Sequence, residues 1–278
     1  MGNIDILHHV DMEIVKEVVR ICREQGFTYY MLGGTMLGAI RHKGFIPWDD
    51  DIDLGMPRKD YDRFLEVAPR ELAKHLKLVN FRTDPDYQYY ITRILDTGTK
   101  VVEERIGNDH KYTNASIDIF PIDGTPNNGL LRKIYFFRVL YHRALMSLCY
   151  KDSIDRKRKR GTLEKLLLWV MEHVPVERFT TPYKEKCKID KLLKSQKVEG
   201  SKYIGNIMGA YRTREIVPAE YYGKGTLYDF EDMQLQGLDM FDEYLTYTYG
   251  DYMQLPPEDQ RKTHFIIMEI HGQKVAEE

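Results

Sequence analysis

The 278-residue sequence is poor in cysteine, holds two tryptophans and carries almost no net charge. Its three cysteines, Cys22, Cys149 and Cys187, are odd in number, far apart and without C-x-x-C spacing. That pattern excludes a disulfide framework and a cysteine zinc site, and it suits buried thiols in a reducing, cytoplasmic setting. The formal charge is −2, from 41 Lys and Arg against 43 Asp and Glu. A general polyanion binder would be basic, so nucleic acid is not an expected partner. Long apolar runs are also missing: the stretch from Leu166 to Met171 falls far short of the roughly 20 residues that cross a bilayer. The N-terminal MGNIDILHHVD has acids and no apolar run after a basic start, so it does not read as a secretory signal and the mature chain is expected to begin here. Ile6 stands where N-myristoylation after Gly2 would need Ser or Thr. There is no internal repeat and no low-complexity linker.

What is present fits a globular protein with a proper core, at 42% hydrophobic and 12% aromatic residues. Asp5 to Gln25 is an amphipathic helix by its spacing, with Ile6, Val10, Ile14, Val18 and Ile21 on one stripe and Gly26 as C-terminal cap, and it should pack on a sheet. Phe27–Leu32 reads as a strand that runs into Gly33-Gly34-Thr35 and a short helix to His42. Asp51–Met56 reads as a second strand, which puts Asp51 and Asp53 on one face and Ile52 and Leu54 on the other. Pro57–His75 looks helical, with Pro69 expected to separate two segments. LKLVNF, YQYYITRIL and TKVVEE suggest antiparallel strands between Leu76 and Arg105. ASIDIFPIDGTP (115–126) is an apolar strand with Asp118 set inside it. Leu130 to about Ser195 turns helical, around a basic RKRKR run at Arg156–Arg160.

GFIPWDDDIDLGM (44–56) packs Asp49, Asp50, Asp51 and Asp53 into five positions. Carboxylates so close raise one another's pKa, and a chain that keeps them ionised needs a cation. Two carboxylates on one strand face and a third, Asp118, from a neighbouring strand form a hard oxygen pocket suited to Mg²⁺ or Mn²⁺ held together with substrate phosphates. Gly33 and Gly34 let backbone N–H groups approach a phosphate at a helix N-terminus. Strand, glycine turn, helix and then D-x-D is the plan of a nucleotidyltransferase-type site. Taken singly, each piece has a plainer explanation: G-G-T is a common turn, the acids could be a solvated turn, and Asp118 could simply meet an arginine. A calcium loop of the EF-hand kind would need Gly and Glu where the chain has Leu54 and Asp60.

The stretch MLGGTMLGAIRHKGFIPWDDDIDLGMPRKDYDRF resembles the signature of the LicD family, relatives of fukutin within the nucleotidyltransferase-like superfamily. ITRILDTGT (91–99), SIDIFPIDGTP (116–126) and YGDYMQLPPEDQRKTH (249–264) are similar to its later motifs, in the same order. The resemblance implies an α+β, nucleotidyltransferase-like mixed sheet with flanking helices and a helical insertion. With the helical reading of the middle, which the resemblance covers poorly, the chain is expected to divide into a catalytic core at 1–128, a helical insertion at 129–212 and a C-terminal part at 213–278 that completes the core. The resemblance further implies transfer of a phosphoalcohol, classically phosphocholine, from a CDP-linked donor to a hydroxyl of a cell-surface glycan, lipid-linked glycan or teichoic-acid precursor, with CMP leaving.

By the same resemblance the catalytic residues are Asp51, Asp53 and Asp118, and the Mg²⁺ or Mn²⁺ ligands are these with Asp49. Asp118 is also placed to draw the proton from the acceptor hydroxyl. Gly33, Gly34 and Thr35 would face phosphate, and Arg41, His42 and Lys43 would steady the diphosphate. Arg93 and Arg261 are candidate phosphate contacts and His264 a candidate site residue. The gap from Gly34 to Asp51 is longer than in the general superfamily pattern, and the cysteine cluster and membrane anchor of larger animal relatives are absent, as expected of a bacterial-type intracellular enzyme. A choline ligand would want an aromatic cage, while Trp48 is expected to pack the strand start. The basic, aromatic 130–150 stretch could touch a membrane surface. Two rivals use the same acids: a D-x-D glycosyltransferase, which would release a nucleoside diphosphate, and a non-catalytic calcium- and membrane-binding module.

Overall fold

The amphipathic N-terminal stretch forms α1 (Asn3–Gln25) in the computed structural model, which describes residues 3–103, 111–150, 178–261, 263, 265–270 and 272–275. Gly26 takes φ +67° and lets the Phe27 N–H donate to Cys22 O at 2.8 Å, so the helix ends where only glycine turns cheaply. Its stripe of Leu7, Val10, Ile14, Val18 and Ile21 is buried.

The sheet under α1 is built from β1 (Tyr30–Met31), β2 (Asp53–Pro57), β3 (Leu76–Val79), β4 (Thr92–Asp96) and β7 (Ser116–Gly124), in the order β1-β2-β7-β4-β3. β2 and β7 run parallel; the other pairs are antiparallel. The central strands carry Leu54, Met56, Ile117, Ile119 and Ile122, all fully buried, as strands covered on both faces require. Pro121 is tolerated in β7 because the β4 ladder ends at Ile119, so no bond to that neighbour is lost.

β1 and α3 differ from the sequence expectation. β1 is only two residues long, because Gly33 at φ +50° turns the chain at once into α2 (Gly33–His42). α3 (Arg58–Glu71) is one helix and not two: Pro69 sits in its last turn, where a single missing N–H does not break what is already ending, and Leu72 N–H still reaches Ala68 O at 3.0 Å.

A second sheet joins β5 (Thr99–Glu103) and β6 (Lys111–Thr113) to β12 (Phe265–Ile270) and β13 (Gln273–Lys274), in the order β13-β12-β5-β6. The C-terminal strands thus close onto the middle of the chain. The helical stretch supplies α4 (Gly129–Leu148) and α5 (Pro182–Leu193), which bury Tyr135, Val139, Ile189 and Leu193 with Phe81 and Tyr90 in a satellite core. β8 (Tyr203–Gly205) pairs with β7 and with β9 (Ile216–Pro218), returning the chain to the main sheet. A hairpin of β10 (Thr226–Phe230) and β11 (Met233–Gly237) and the helix α6 (Phe241–Tyr249) follow. The fold is α+β, a mixed sheet with helices about it. No helix among the described residues is long and apolar enough to cross a membrane. The basic run Arg156–Arg160 lies outside the described residues.

Candidate active site

The parallel pairing of β2 and β7 sets Asp53 directly across from Asp118, on strands about 4.8 Å apart. β2 begins at Asp53, so Asp51 precedes the strand instead of lying on it; the β7 ladder has no partner for it, although Asp118 N–H already donates to Ile52 O at 2.9 Å. The alternation persists all the same: Ile52 and Leu54 are fully buried, while Asp51 and Asp53 keep contact with solvent. Asp50 is buried.

Arg93, the register partner of Asp118 on β4, grips it with Nε donating to Oδ1 at 2.7 Å and Nη2 to Oδ2 at 3.3 Å. The guanidinium also lies 4.2 Å from the Tyr89 ring centroid. Its first task is therefore to orient Asp118, and with Asp118, Asp51, Asp50 and Ser116 it lines a small recess. The plain explanation for Asp118, an arginine partner, holds together with the site reading.

Among the described residues this corner has fewer cations than carboxylates. Burial pushes Asp53 well above the ordinary carboxylate range, and Asp51, Asp118 and Asp49 add to it. Asp51 reaches water yet stands among so much protein that desolvation, then Asp49, Asp118 and Asp50, push it up to about 8. Burial raises Asp118 too, with Arg93 pulling it back. A fourth group was not singled out from sequence. Asp11 on α1 is fully buried, neither side-chain oxygen has a hydrogen-bond partner, and burial with the fields of Asp51, Asp50, Asp118 and Asp96 pushes it well up. An acid between Leu7 and Ile14 on an apolar helix stripe is the signal that could have found it.

This surplus fits a divalent cation. Among the described residues no three carboxylates, histidines or thiols stand close enough to cage an ion by themselves. Mg²⁺ does not need such a cage, since it commonly takes one or two carboxylates and completes its shell with water and substrate phosphates.

The start of α2 borders the acids. First-turn N–H groups have no intrahelical partner; that of Gly33 is met by Tyr244 Oη at 3.0 Å and that of Met36 by Leu32 O at 3.1 Å. Gly34 and Thr35 lie between them and against the acids. A methyl added at Gly34 would stand 2.6 Å from Asp49 Oδ2, and Thr35 Oγ1 accepts from Asp53 N–H at 2.8 Å. Tyr249 closes the same corner, 3.5 Å from where a Gly33 Cβ would be. Neither tyrosine was singled out from sequence; both lie on α6, some two hundred residues along the chain from the turn they support.

A basic, aromatic wall adjoins the acids. Arg41 donates to Tyr252 O at 2.9 Å and to His42 Nε2 at 2.9 Å, and Arg261 lies 5.1 Å from the Trp48 ring centroid, with Nε on Pro256 O. Burial, then the neighbouring Arg261, lowers the Arg41 pKa, while Asp49 opposes the change. Burial and Arg41 lower that of His42. Trp48 packs edge-on against His42 and walls a cavity of about 430 Å³ with Arg41, Tyr249 and Tyr252. Lys43 is the exposed αL cap of α2, φ +63°. The structure thus gathers Asp49, Asp51, Asp53, Asp118, Arg93, Gly33, Gly34, Thr35, Arg41 and Arg261 around one corner; His264 lies outside the described residues.

Residues 26–153 match the family model described as LicD/FKTN/FKRP, nucleotidyltransferase domain. Over 255 residues, 88% of this chain and 89% of the relative, the sequence is 32% identical to the lipopolysaccharide cholinephosphotransferase LicD of Haemophilus influenzae. Ribitol 5-phosphate transferase FKRP of Homo sapiens is 44% identical over 48 residues, 17% of this chain and 10% of that protein, and the Mus musculus protein matches to the same extent. With its acidic strand pair, glycine turn and this match along most of its length, the chain belongs to the LicD family.

Proposed function

We propose that this LicD-family phosphotransferase moves a phosphoalcohol, phosphocholine foremost, from a CDP-linked donor to a hydroxyl of a cell-surface glycan or teichoic-acid precursor and releases CMP. The observation that carries the reading is the register that puts Asp53 opposite Asp118 beside the glycine start of α2, in a corner with more carboxylates than cations. The relative matched along most of the chain is named a cholinephosphotransferase, which supports phosphocholine as the group transferred.

In this reading one or two of Asp49, Asp51, Asp53 and Asp118, together with water and the donor phosphates, would hold Mg²⁺ or Mn²⁺, which would supply positive charge against the donor diphosphate. The first turn of α2 and the guanidinium groups of Arg41 and Arg261 bind the diphosphate oxygens. The acceptor oxygen attacks the phosphorus that bears the alcohol, the bond from that phosphorus to the bridging oxygen breaks, and CMP leaves with the bridging oxygen. The proton of the attacking hydroxyl goes to Asp118, which stands across from Asp53 and whose orientation Arg93 fixes.

The test is a phosphorus NMR or mass-spectrometric survey of CDP-choline, CDP-ribitol, CDP-glycerol and several nucleotide sugars, each with enzyme and Mn²⁺ and with Asp51→Asn as control. CMP released from one donor and lost in the control supports the reading and names the donor. A nucleoside diphosphate released from a sugar donor would instead make the protein a glycosyltransferase. If no donor is consumed even with cell-derived glycan present, the phosphotransferase reading weakens and the binding-module reading gains.

A further inference from the structure

Helix α4 is apolar on two opposite sides, and among the described residues only one of them is packed against the rest of the fold. Tyr135 and Val139 point into the satellite core. Leu130, Ile134, Phe137 and Tyr141 fall within an arc of about 60° on the other side, at 100° per residue. Their exposures run from 49% for Ile134 to 70% for Phe137, and Leu131 at the edge of the stripe is 57% exposed. A soluble helix normally turns polar side chains to water, and a contiguous apolar stripe in water marks a surface that meets something.

The charges beside the stripe say what it meets. α4 has no acidic residue. Arg132 is folded back over the Tyr203 ring, and Arg143 donates to the carbonyls of Ile207 and Gly209. Lys133 and Arg138 flank the stripe on either side, are exposed, and form no ion pair among the described residues. A second copy of the chain packed stripe to stripe would bring these cations against each other with no carboxylate on the helix to receive them. An anionic lipid surface supplies negative headgroups at the height of the cations and an apolar layer beneath for the stripe. No helix among the described residues is apolar enough to span the bilayer, so the contact is made by lying on it.

We propose that the outer face of α4 is a membrane-docking surface, in which Leu130, Ile134, Phe137 and Tyr141 enter the headgroup boundary of an anionic bilayer while Lys133 and Arg138 pair with lipid phosphates. The surface is independent of the transferase reading, because none of its residues belongs to the corner around Asp53.

Co-sedimentation of the full chain with phosphatidylglycerol-containing vesicles, and with vesicles of phosphatidylcholine alone, tests it. The chain should bind the anionic vesicles, less so as salt rises, and bind the neutral ones weakly. Phe137→Ser with Ile134→Ser should weaken binding about tenfold or more, the scale of withdrawing large apolar side chains from burial. Lys133→Glu with Arg138→Glu should remove the preference for anionic lipid. Because the substituted side chains face water, circular dichroism and the melting temperature should stay at wild-type values, and an activity assay on a soluble acceptor should be unaffected. No binding to anionic vesicles at low salt overturns the proposal, as does equal binding to neutral ones. So would a dimer, seen by light scattering, that Phe137→Ser dissociates, since the stripe would then be the contact between copies.

Discussion

Two aspartates five residues apart on β7 are each clasped by an arginine and each raised by burial, yet they stand in different charge company. An odd separation sends Asp118 and Asp123 to opposite faces of the sheet. Asp123 is buried and clasped by Arg58, with Nε on Oδ1 at 2.7 Å and Nη2 on Oδ2 at 2.6 Å. Around that pair, Arg58, Arg82 and Lys194 face Asp62, Asp123 and Asp190, three cations for three carboxylates, with Tyr90 Oη donating to Asp190 at 2.9 Å. Burial would raise Asp190, but Arg58 and Arg82 outweigh it and hold it below the usual range. Asp118 has one arginine, and Asp49, Asp50, Asp51 and Asp53 crowd the same corner. The balanced network ties α3 and α5 to the sheet. Its unbalanced counterpart holds more carboxylates than cations among the described residues, and on the proposed function a bound cation and phosphate would complete it.

Breaking each end should separate the two roles. Asp53→Asn should lower the transfer rate by about 10³-fold or more, since several kcal/mol of charge stabilisation pass through that group. Its melting temperature should hold or rise, because one of several repelling carboxylates is gone. Asp123→Ala should do the opposite: chemical denaturation should show a loss of about 3–5 kcal/mol, the cost of leaving Arg58 buried without its partner, while the protein that remains folded turns over normally. An Asp53→Asn protein that unfolds, or an Asp123→Ala protein of wild-type stability, would erase the distinction.

The acidic end was legible in the sequence, and the balanced end was not. Asp51 and Asp53 lie in one short motif, and Gly33-Gly34-Thr35 is close behind it, so local spacing and family resemblance were enough. That Asp53 faces Asp118 depends on a parallel crossover of more than sixty residues, whose register no local pattern specifies. Arg58, Asp123 and Asp190 lie on three distant elements and look in sequence like ordinary surface charges. The pairing of β5 with β12 was unreadable for the same reason, whereas Asp11 was readable as an acid on an apolar stripe.

Gly34 sharpens the comparison with a smaller change. Its absent side chain is what lets the Asp49 carboxylate lie against the first turn of α2. Gly34→Ala must push that carboxylate aside, which the flexible side chain can do at little cost to the fold. Transfer should fall about 10²-fold, as ångström-scale misplacement of a reacting group does, with the melting temperature within a degree or two of wild type by the same measurement that follows Asp53→Asn. A collapse in stability would mean that Gly34 serves packing and not the site.

The pH dependence of stability offers the smallest effect and the most direct reading of the charge surplus. Unfolded aspartates titrate near about 3.9, whereas Asp51 in the folded protein is raised to about 8. Between those values the folded state binds more protons than the unfolded state, so stability falls as pH rises through the window. The metal-free protein should therefore melt lower at pH 8 than at pH 6, and Asp51→Asn should flatten that slope. Added Mn²⁺ needs the ionised carboxylates, so its stabilisation should be larger at pH 8 than at pH 6. The Asp123 network, whose charges are already paired, should contribute no such metal-dependent change, and a thermal-shift series with and without Mn²⁺ on wild type, Asp51→Asn and Asp123→Asn reads all three. If Mn²⁺ stabilises equally at both pH values, or stabilises Asp51→Asn as strongly as wild type, the surplus charge at the β2–β7 corner is not where the ion binds.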